Sequence, residues 1–304
     1  MSGWVDLQVN GYLGVDFSAP GLRLEQVCRV GNDLRRRGVT GFLATLVSSP
    51  EEVYRQNLSV LARACREQGD RGPLLGIHLE GPFLSPADGA RGAHDPRWIS
   101  QPEASRFDGW QEAAEGWIRL VTLAPERPGA LSLIEYLSGQ GVAVSLGHHL
   151  ADLACIREAA EAGASACTHL GNGIPQYLPR HPNPLWDQLA EERLMVMIIP
   201  DGHHVPWSFL RVVLRAAGLA RVVAVSDAAP PAGLSPGRFT LWGQEVVLEA
   251  SGKLWNPAEN HLAGSSKNLA ECVEQLLSWQ LASESEADLI AAENPRRLLE
   301  IHRR

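Results

Sequence analysis

Eight short apolar runs, most of them followed by a stretch with apolar residues at helical spacing, constrain this 304-residue chain more than any other feature. The runs lie at 5–9, 39–47, 74–79, 118–123, 142–146, 165–168, 196–199 and 222–225. Short runs rich in Val, Ile and Leu, bounded by turn residues, read as strands buried on both faces. Between them, Leu24 to Arg37, Glu51 to Glu67, Leu131 to Gly139, Asp152 to Ala162 and Pro206 to Ala217 read as helices. Strand and helix in alternation imply a parallel sheet, and eight strands close a barrel. The expected fold is therefore α/β, a (β/α)8 TIM barrel. Phe239 to Leu248 alternates around Trp242-Gly243-Gln244, which places a small β insertion after the eighth strand. Lys267 to Leu281 and Glu286 to Leu299 supply closing helices, and residues 1–304 are expected to form a single domain.

Composition removes several classes of function. The formal net charge of −8 argues against a general nucleic-acid binder. No stretch of about 18 apolar residues is present to span a membrane, and the first residues show no basic segment followed by an apolar one. The five cysteines are odd in number and scattered through apolar segments, which suits reduced packing residues. A cytoplasmic protein is the expectation.

Polar groups recur just past the ends of the apolar runs. Glu80 closes the third run and is followed by Gly81-Pro82, which cannot continue a strand. His148 follows the fifth run, His169 the sixth, His204 the seventh and Asp227 the eighth. One such histidine is more often a packing residue, but five titratable groups at the catalytic rim of one barrel are hard to assign to packing. Two histidines and a carboxylate make a known ligand set for a catalytic zinc with an open position. Such a metal acidifies water and polarises a carbonyl, and a carboxylate such as Asp227 would take and return the proton. The long loop after the third run, which holds Arg91-Gly92-Ala93-His94, is of the kind that usually carries function.

Nine segments, in this order and spacing, resemble the N-acetylglucosamine-6-phosphate deacetylases of the amidohydrolase superfamily. They are Asp6-Leu7-Gln8-Val9-Asn10-Gly11, His78-Leu79-Glu80-Gly81-Pro82-Phe83, Gly92-Ala93-His94, Leu123-Ala124-Pro125-Glu126, Gly147-His148, Thr168-His169-Leu170-Gly171-Asn172, Asp201-Gly202-His203-His204, Ser226-Asp227-Ala228 and Ala263-Gly264-Ser265. The resemblance implies one divalent metal, Zn2+, held by Glu80, His148 and His169, with Asp227 as acid and base and His204 polarising the acetamide carbonyl. It further implies that Ala93, Asn172, Gly173 and Leu262 hold the sugar through largely main-chain contacts. Arg180 falls where the family places a phosphate-binding arginine that reaches across a homodimer interface, and His94 is grouped with it as a donor to the phosphate.

Three departures from the family pattern bear on these expectations. Gln8-Val9-Asn10 stands where many amidohydrolases have the His-x-His of a second metal, and amides are poor zinc ligands, so a single-metal site is expected. The family's β-sandwich, built from both termini, is not expected here. Gly173 stands where relatives often have Ala, which is expected to widen the pocket. Two other readings compete with an amino sugar phosphate deacetylase. One is an amidohydrolase acting on an unphosphorylated sugar or an N-acyl amino acid, and the other is a metal-free binding barrel.

Overall fold

The computed structural model describes residues 3–300. The chain opens with β1 (Trp4–Val9) and a small hairpin, β2 (Gly11–Tyr12) and β3 (Val15–Asp16). It continues through α1 (Leu24–Arg36), β4 (Val39–Val47), α2 (Glu51–Gln68), β5 (Leu74–Glu80), α3 (Ala104–Ala113), β6 (Ile118–Leu123) and α4 (Ala130–Gly139). Then come β7 (Ala143–Leu146), α5 (Leu153–Glu161), β8 (Ala166–Cys167), α6 (Pro184–Ala190), β9 (Met195–Ile198), α7 (Trp207–Ala217) and β10 (Val222–Ala224). A second sheet follows, with β11 (Gly237–Leu241), β12 (Gln244–Leu248), β13 (Leu254–Asn256) and β14 (His261–Leu262). The helices α8 (Leu269–Ser278), α9 (Glu284–Asp288) and α10 (Asn294–Glu300) end the described chain.

The eight strands β1, β4, β5, β6, β7, β8, β9 and β10 pair in parallel in that order and form a nearly closed barrel. At the rim, Ala228 completes the circle by bridging Val9, with Asn10 N donating to Ala228 O at 2.8 Å. Strands buried on both faces explain the unbroken apolar runs. Leu7, Leu43, Leu120, Met197 and Val223 fill the barrel interior, and Leu298 of α10 packs into the same cluster from the final helix. Residues of the opposite strand face, such as Phe42, Leu79, Val121 and Ile198, pack against the helical shell.

Several expectations change in detail. The expected hairpin at 239–248 is β11 and β12 of a four-stranded antiparallel sheet, so the insertion after β10 is larger than its alternation indicates. The expected helix from Glu286 to Leu299 is two α-helices joined by a π-helical turn, Leu289–Glu293. Helices α3 and α6 have no counterpart in the sequence reading. The ends of the expected single domain, residues 1, 2 and 301–304, lie outside the described residues. No described helix is long and apolar enough to cross a membrane.

Candidate metal centre and cleft

Strand ends deliver the site. Glu80 is the last residue of β5, His148 and His169 lie two residues past β7 and β8, and Asp227 lies three past β10. His148, His169 and Asp227 all have left-handed backbone, with φ of 53°, 28° and 53°. Each such residue costs of order 1–3 kcal/mol and persists only where surrounding structure holds it, a pattern concentrated at functional sites.

Beneath the rim, a buried polar layer ties the strands together. His78 Nδ1 lies 3.1 Å from Thr45 Oγ1 and its Nε2 lies 2.8 Å from Thr122 Oγ1. Thr122 Oγ1 in turn is 2.8 Å from Thr168 Oγ1, which is 2.6 Å from Ser145 Oγ. Burial, aided by the charges of neighbouring imidazoles, outweighs Glu80 and pulls His78 down to about 4, so the ring is neutral. The layer fixes the strand positions two residues before Glu80 and one before His169.

Above it, three side chains turn their donor atoms on one another. Glu80 Oε1 is 2.9 Å from His169 Nε2 and 3.3 Å from His148 Nε2, and the two Nε2 atoms are 3.1 Å apart. All three residues are buried, and among the described residues they are the group whose ligand atoms all lie within 4.8 Å of one another. Burial opposes charge on Glu80, but the two imidazoles that face it hold its carboxyl well below the usual range. His148 Nδ1 sits 2.9 Å from the Ala90 carbonyl, so Nδ1 carries the proton and Nε2 presents its lone pair to the centre. Two imidazoles and a carboxylate converging in this way fit a divalent cation.

Gly92 and Gly173 back the His148 ring. A Cβ on Gly92 would come 3.1 Å from His148 Cε1, and one on Gly173 would come 2.6 Å from Nδ1. Both glycines have positive φ, 56° and 60°. The missing methyl at 173 makes room for the imidazole, so the expectation that it widens the pocket is replaced by a packing reason.

Gln8 and Asn10 act as amide donors. Gln8 Nε2 donates to Glu80 Oε1 at 2.8 Å and to Asp227 Oδ1 at 3.0 Å, and Asn10 Nδ2 donates to Asp227 Oδ1 at 2.7 Å. Their oxygens are buried without a hydrogen-bond partner, so both amides present N–H groups, which do not ligate a cation, to the carboxylates. Burial and the Glu80 charge push Asp227 up to about 6, against the pull of His169, His204 and Asn10. The other Asp227 oxygen, Oδ2, faces His204 Nε2 at 3.8 Å, too long for a hydrogen bond.

These groups sit at the base of a cleft of about 780 Å³, a size that accommodates a small molecule. Ala93, His94, Asn172, Gly173, His204 and Leu262 line it. His94 is buried, its Nδ1 accepting from Ser48 N at 3.4 Å and lying 3.0 Å from Ser48 Oγ, and burial followed by the His148 charge lowers it to about 3. His94 is thus neutral. Arg180 is exposed on the loop before α6 and does not line the cleft of its own chain. His149 is buried with Nδ1 accepting from Ala151 N at 3.1 Å, outside the three-ligand group.

Sequence reasoning missed several contributors. Trp242 and Gln244 at the β11–β12 turn and His261 of β14 wall the cleft, and Asp201 binds His204. Asp201 lay within a quoted motif, and its spacing of three residues from His204 was the available signal.

Comparison with known proteins agrees with the geometry. No family model matches the chain. An N-acetylgalactosamine-6-phosphate deacetylase of Escherichia coli O157:H7 is 32% identical over 298 residues, 97% of this chain and 77% of that protein. An N-acetylglucosamine-6-phosphate deacetylase of Bos taurus is 36% identical over 311 residues, 99% of this chain and 75% of that protein. Among solved structures, an aspartate-to-alanine mutant of the Mycobacterium smegmatis N-acetyl-D-glucosamine-6-phosphate deacetylase, in complex with N-acetyl-D-glucosamine-6-phosphate, superimposes with a TM-score of 0.90 at 31% identity. The match covers 98% of this chain and 77% of that one. The chain belongs to the N-acetylglucosamine-6-phosphate deacetylase family.

Proposed function

We propose that this protein hydrolyses the acetamide of N-acetylglucosamine-6-phosphate to glucosamine-6-phosphate and acetate, with one Zn2+ held by Glu80, His148 and His169. The observation that carries the reading is the convergence of those three donors beside Asp227 and His204 at the base of the cleft. Two imidazoles and a carboxylate suit zinc better than the harder cations, which favour oxygen ligands. When bound there, the cation supplies Lewis acidity, which lowers the pKa of a water and draws electron density from a carbonyl oxygen.

The protein's own groups do the rest. Asp227 accepts a proton from the water as its oxygen bonds to the acetamide carbon, and returns that proton to the nitrogen as the C–N bond breaks. Amide donors from Gln8 and Asn10 hold its Oδ1, which leaves Oδ2 facing the cleft side of His204. His204 Nε2 donates to the carbonyl oxygen as charge develops on it. Ala93, Asn172, Gly173 and Leu262 seat the sugar, while His94 and an Arg180 supplied by a second copy of the chain meet the phosphate. Arg180 is exposed beside Tyr177, itself 87% exposed, which suits a role at a homodimer interface. The barrel with its β insertion works as one catalytic unit, and the five free cysteines favour the cytoplasm.

The relative named for N-acetylgalactosamine-6-phosphate supports a second reading, in which the galactosamine counterpart is preferred. Acetate release measured across both phosphorylated sugars, the mannosamine counterpart and the unphosphorylated sugars tests both. The first reading predicts the highest kcat/KM with N-acetylglucosamine-6-phosphate, and faster turnover of an unphosphorylated sugar contradicts it.

A further inference from the structure

The cleft is short of positive charge. Among the described residues that line it, Glu80, Asp88, Asp95, Asp227 and Glu259 carry carboxyl groups, and Arg91 is the only lysine or arginine. His94 is neutral, and Arg180 does not line the cleft of its own chain. A sugar phosphate brings about two negative charges, so a single chain can offer it a permanent side-chain cation only through Arg91.

The backbone of Arg91 is pinned to the metal centre. On one side the Ala90 carbonyl faces His148 Nδ1 at 2.9 Å, and on the other Gly92 backs the same ring. Arg91 N donates to Ala87 O at 3.0 Å, and His94 N donates to Arg91 O at 3.1 Å. A Cβ on Gly89 would come 2.6 Å from Pro175 Cα, so the turn also lies close against the segment that holds Asn172 and Gly173. The side chain is held less firmly. Its Nε and Nη2 both donate to Asp88 Oδ1, at 3.2 and 2.9 Å, and Nη1 has no acceptor among the described residues. Asp88 is 93% exposed and Arg91 26%. An ion pair with one partner so open to water is weak, whereas a phosphate offers the guanidinium fork two oxygens at once. Asp95, the next carboxylate along the loop, is occupied by Arg97.

We propose that Arg91 is the cation each chain supplies to its own cleft, released from Asp88 to grip the substrate phosphate, and that it sets the preference for phosphorylated over unphosphorylated N-acetyl sugars. The inference rests on the proposed deacetylation and extends it by giving the phosphate a charged partner within the same chain.

Binding and kinetics on the zinc-loaded protein test it together. Arg91→Gln removes the charge and keeps a polar side chain. Expected is a rise of about 10- to 100-fold in the Kd for glucosamine-6-phosphate, measured by calorimetry, the scale of losing hydrogen bonds to a charged group. KM for N-acetylglucosamine-6-phosphate should rise in step, with kcat within about threefold. For N-acetylglucosamine, kcat/KM should change by less than about threefold, because a neutral sugar makes no use of the guanidinium. Arg91→Lys keeps the charge without the fork and should fall between wild type and Arg91→Gln. Asp88→Asn should act in the opposite direction: glucosamine-6-phosphate binds about two- to fivefold tighter, and the gain vanishes in the Arg91→Gln background. A Kd in Arg91→Gln within about threefold of wild type, equal losses on both sugars, or an Asp88→Asn gain that persists without Arg91 each overturns the proposal. Asp88→Asn alters an exposed group, so if Arg91→Gln does not fold it decides alone, and unchanged or weaker binding rejects the proposal. Binding needs no turnover. A wild type that releases no acetate yet binds glucosamine-6-phosphate through Arg91 counts against the proposed function alone, while a wild type that binds no glucosamine-6-phosphate overturns this inference.

Discussion

The two sides of the barrel mouth are built on different plans. On the β5–β7–β8 side, Glu80, His148 and His169 turn their donor atoms on one another at 2.9–3.3 Å, and the protein restrains them from behind. On the β9–β10 side each group has its own partner: Asn10 and Gln8 donate to Asp227, Ser265 donates to Asp201, and His204 Nδ1 lies 2.7 Å from Asp201 Oδ2. The first plan suits a cation that all three groups share, and the second suits groups that must keep a set direction while a proton moves. The sides meet at Gln8, whose amide donates to a carboxylate on each.

That contrast can be broken from either side. The largest effect belongs to the shared plan: His169→Ala should weaken zinc binding by well over about 10²-fold, since loss of even an outer partner of a ligand costs 10- to 100-fold. Acetate release should fall with it, and full zinc occupancy at micromolar metal would show that His169 is no ligand. Gln8→Leu touches both sides. It should cost about 10- to 100-fold in zinc affinity, read by chelator competition, together with a lower kcat in protein fully loaded with zinc. A change in only one of the two would mean that Gln8 serves one side alone. Gly92→Ala is the smallest change. A methyl at φ 56° and 3.1 Å from the His148 ring should lower stability by about 1 kcal/mol and zinc affinity by less than about tenfold. Denaturant unfolding and the same chelator competition read the two effects, and a variant more stable than wild type would remove the role given to this glycine.

Much of the barrel was legible because doubly buried strands read as apolar runs, and Glu80, His148, His169, His204 and Asp227 stood out as the polar residues that follow them. Other parts left little trace. Helix α3 anchors itself mainly through Phe107 and Trp110, with Asp108 and Gly109 between, so no long apolar stripe marks it. Helix α6 is seven residues long and starts on proline, while β13 and β14 are three and two residues, too short for alternation to register. The last helical region carries a π-helical turn, and Asn294 just after it donates to the carbonyls of Leu219 and Val222, a contact distant in sequence. Asp201 was visible as a residue, but its partner Ser265 lies 64 positions away, so its full set of donors appears only in the fold.

The central claim is that one side of the mouth holds the metal and the other moves the proton. Zinc stoichiometry and acetate release, measured together on the wild type and Asp227→Asn, test it most directly. The substitution keeps size and removes the proton acceptor, so the variant should keep its zinc while kcat falls by about 10² to 10⁴, the usual worth of a placed acid or base. A variant that keeps its zinc and turns over within about tenfold of wild type, below that range, would contradict the account and assign the proton to another group.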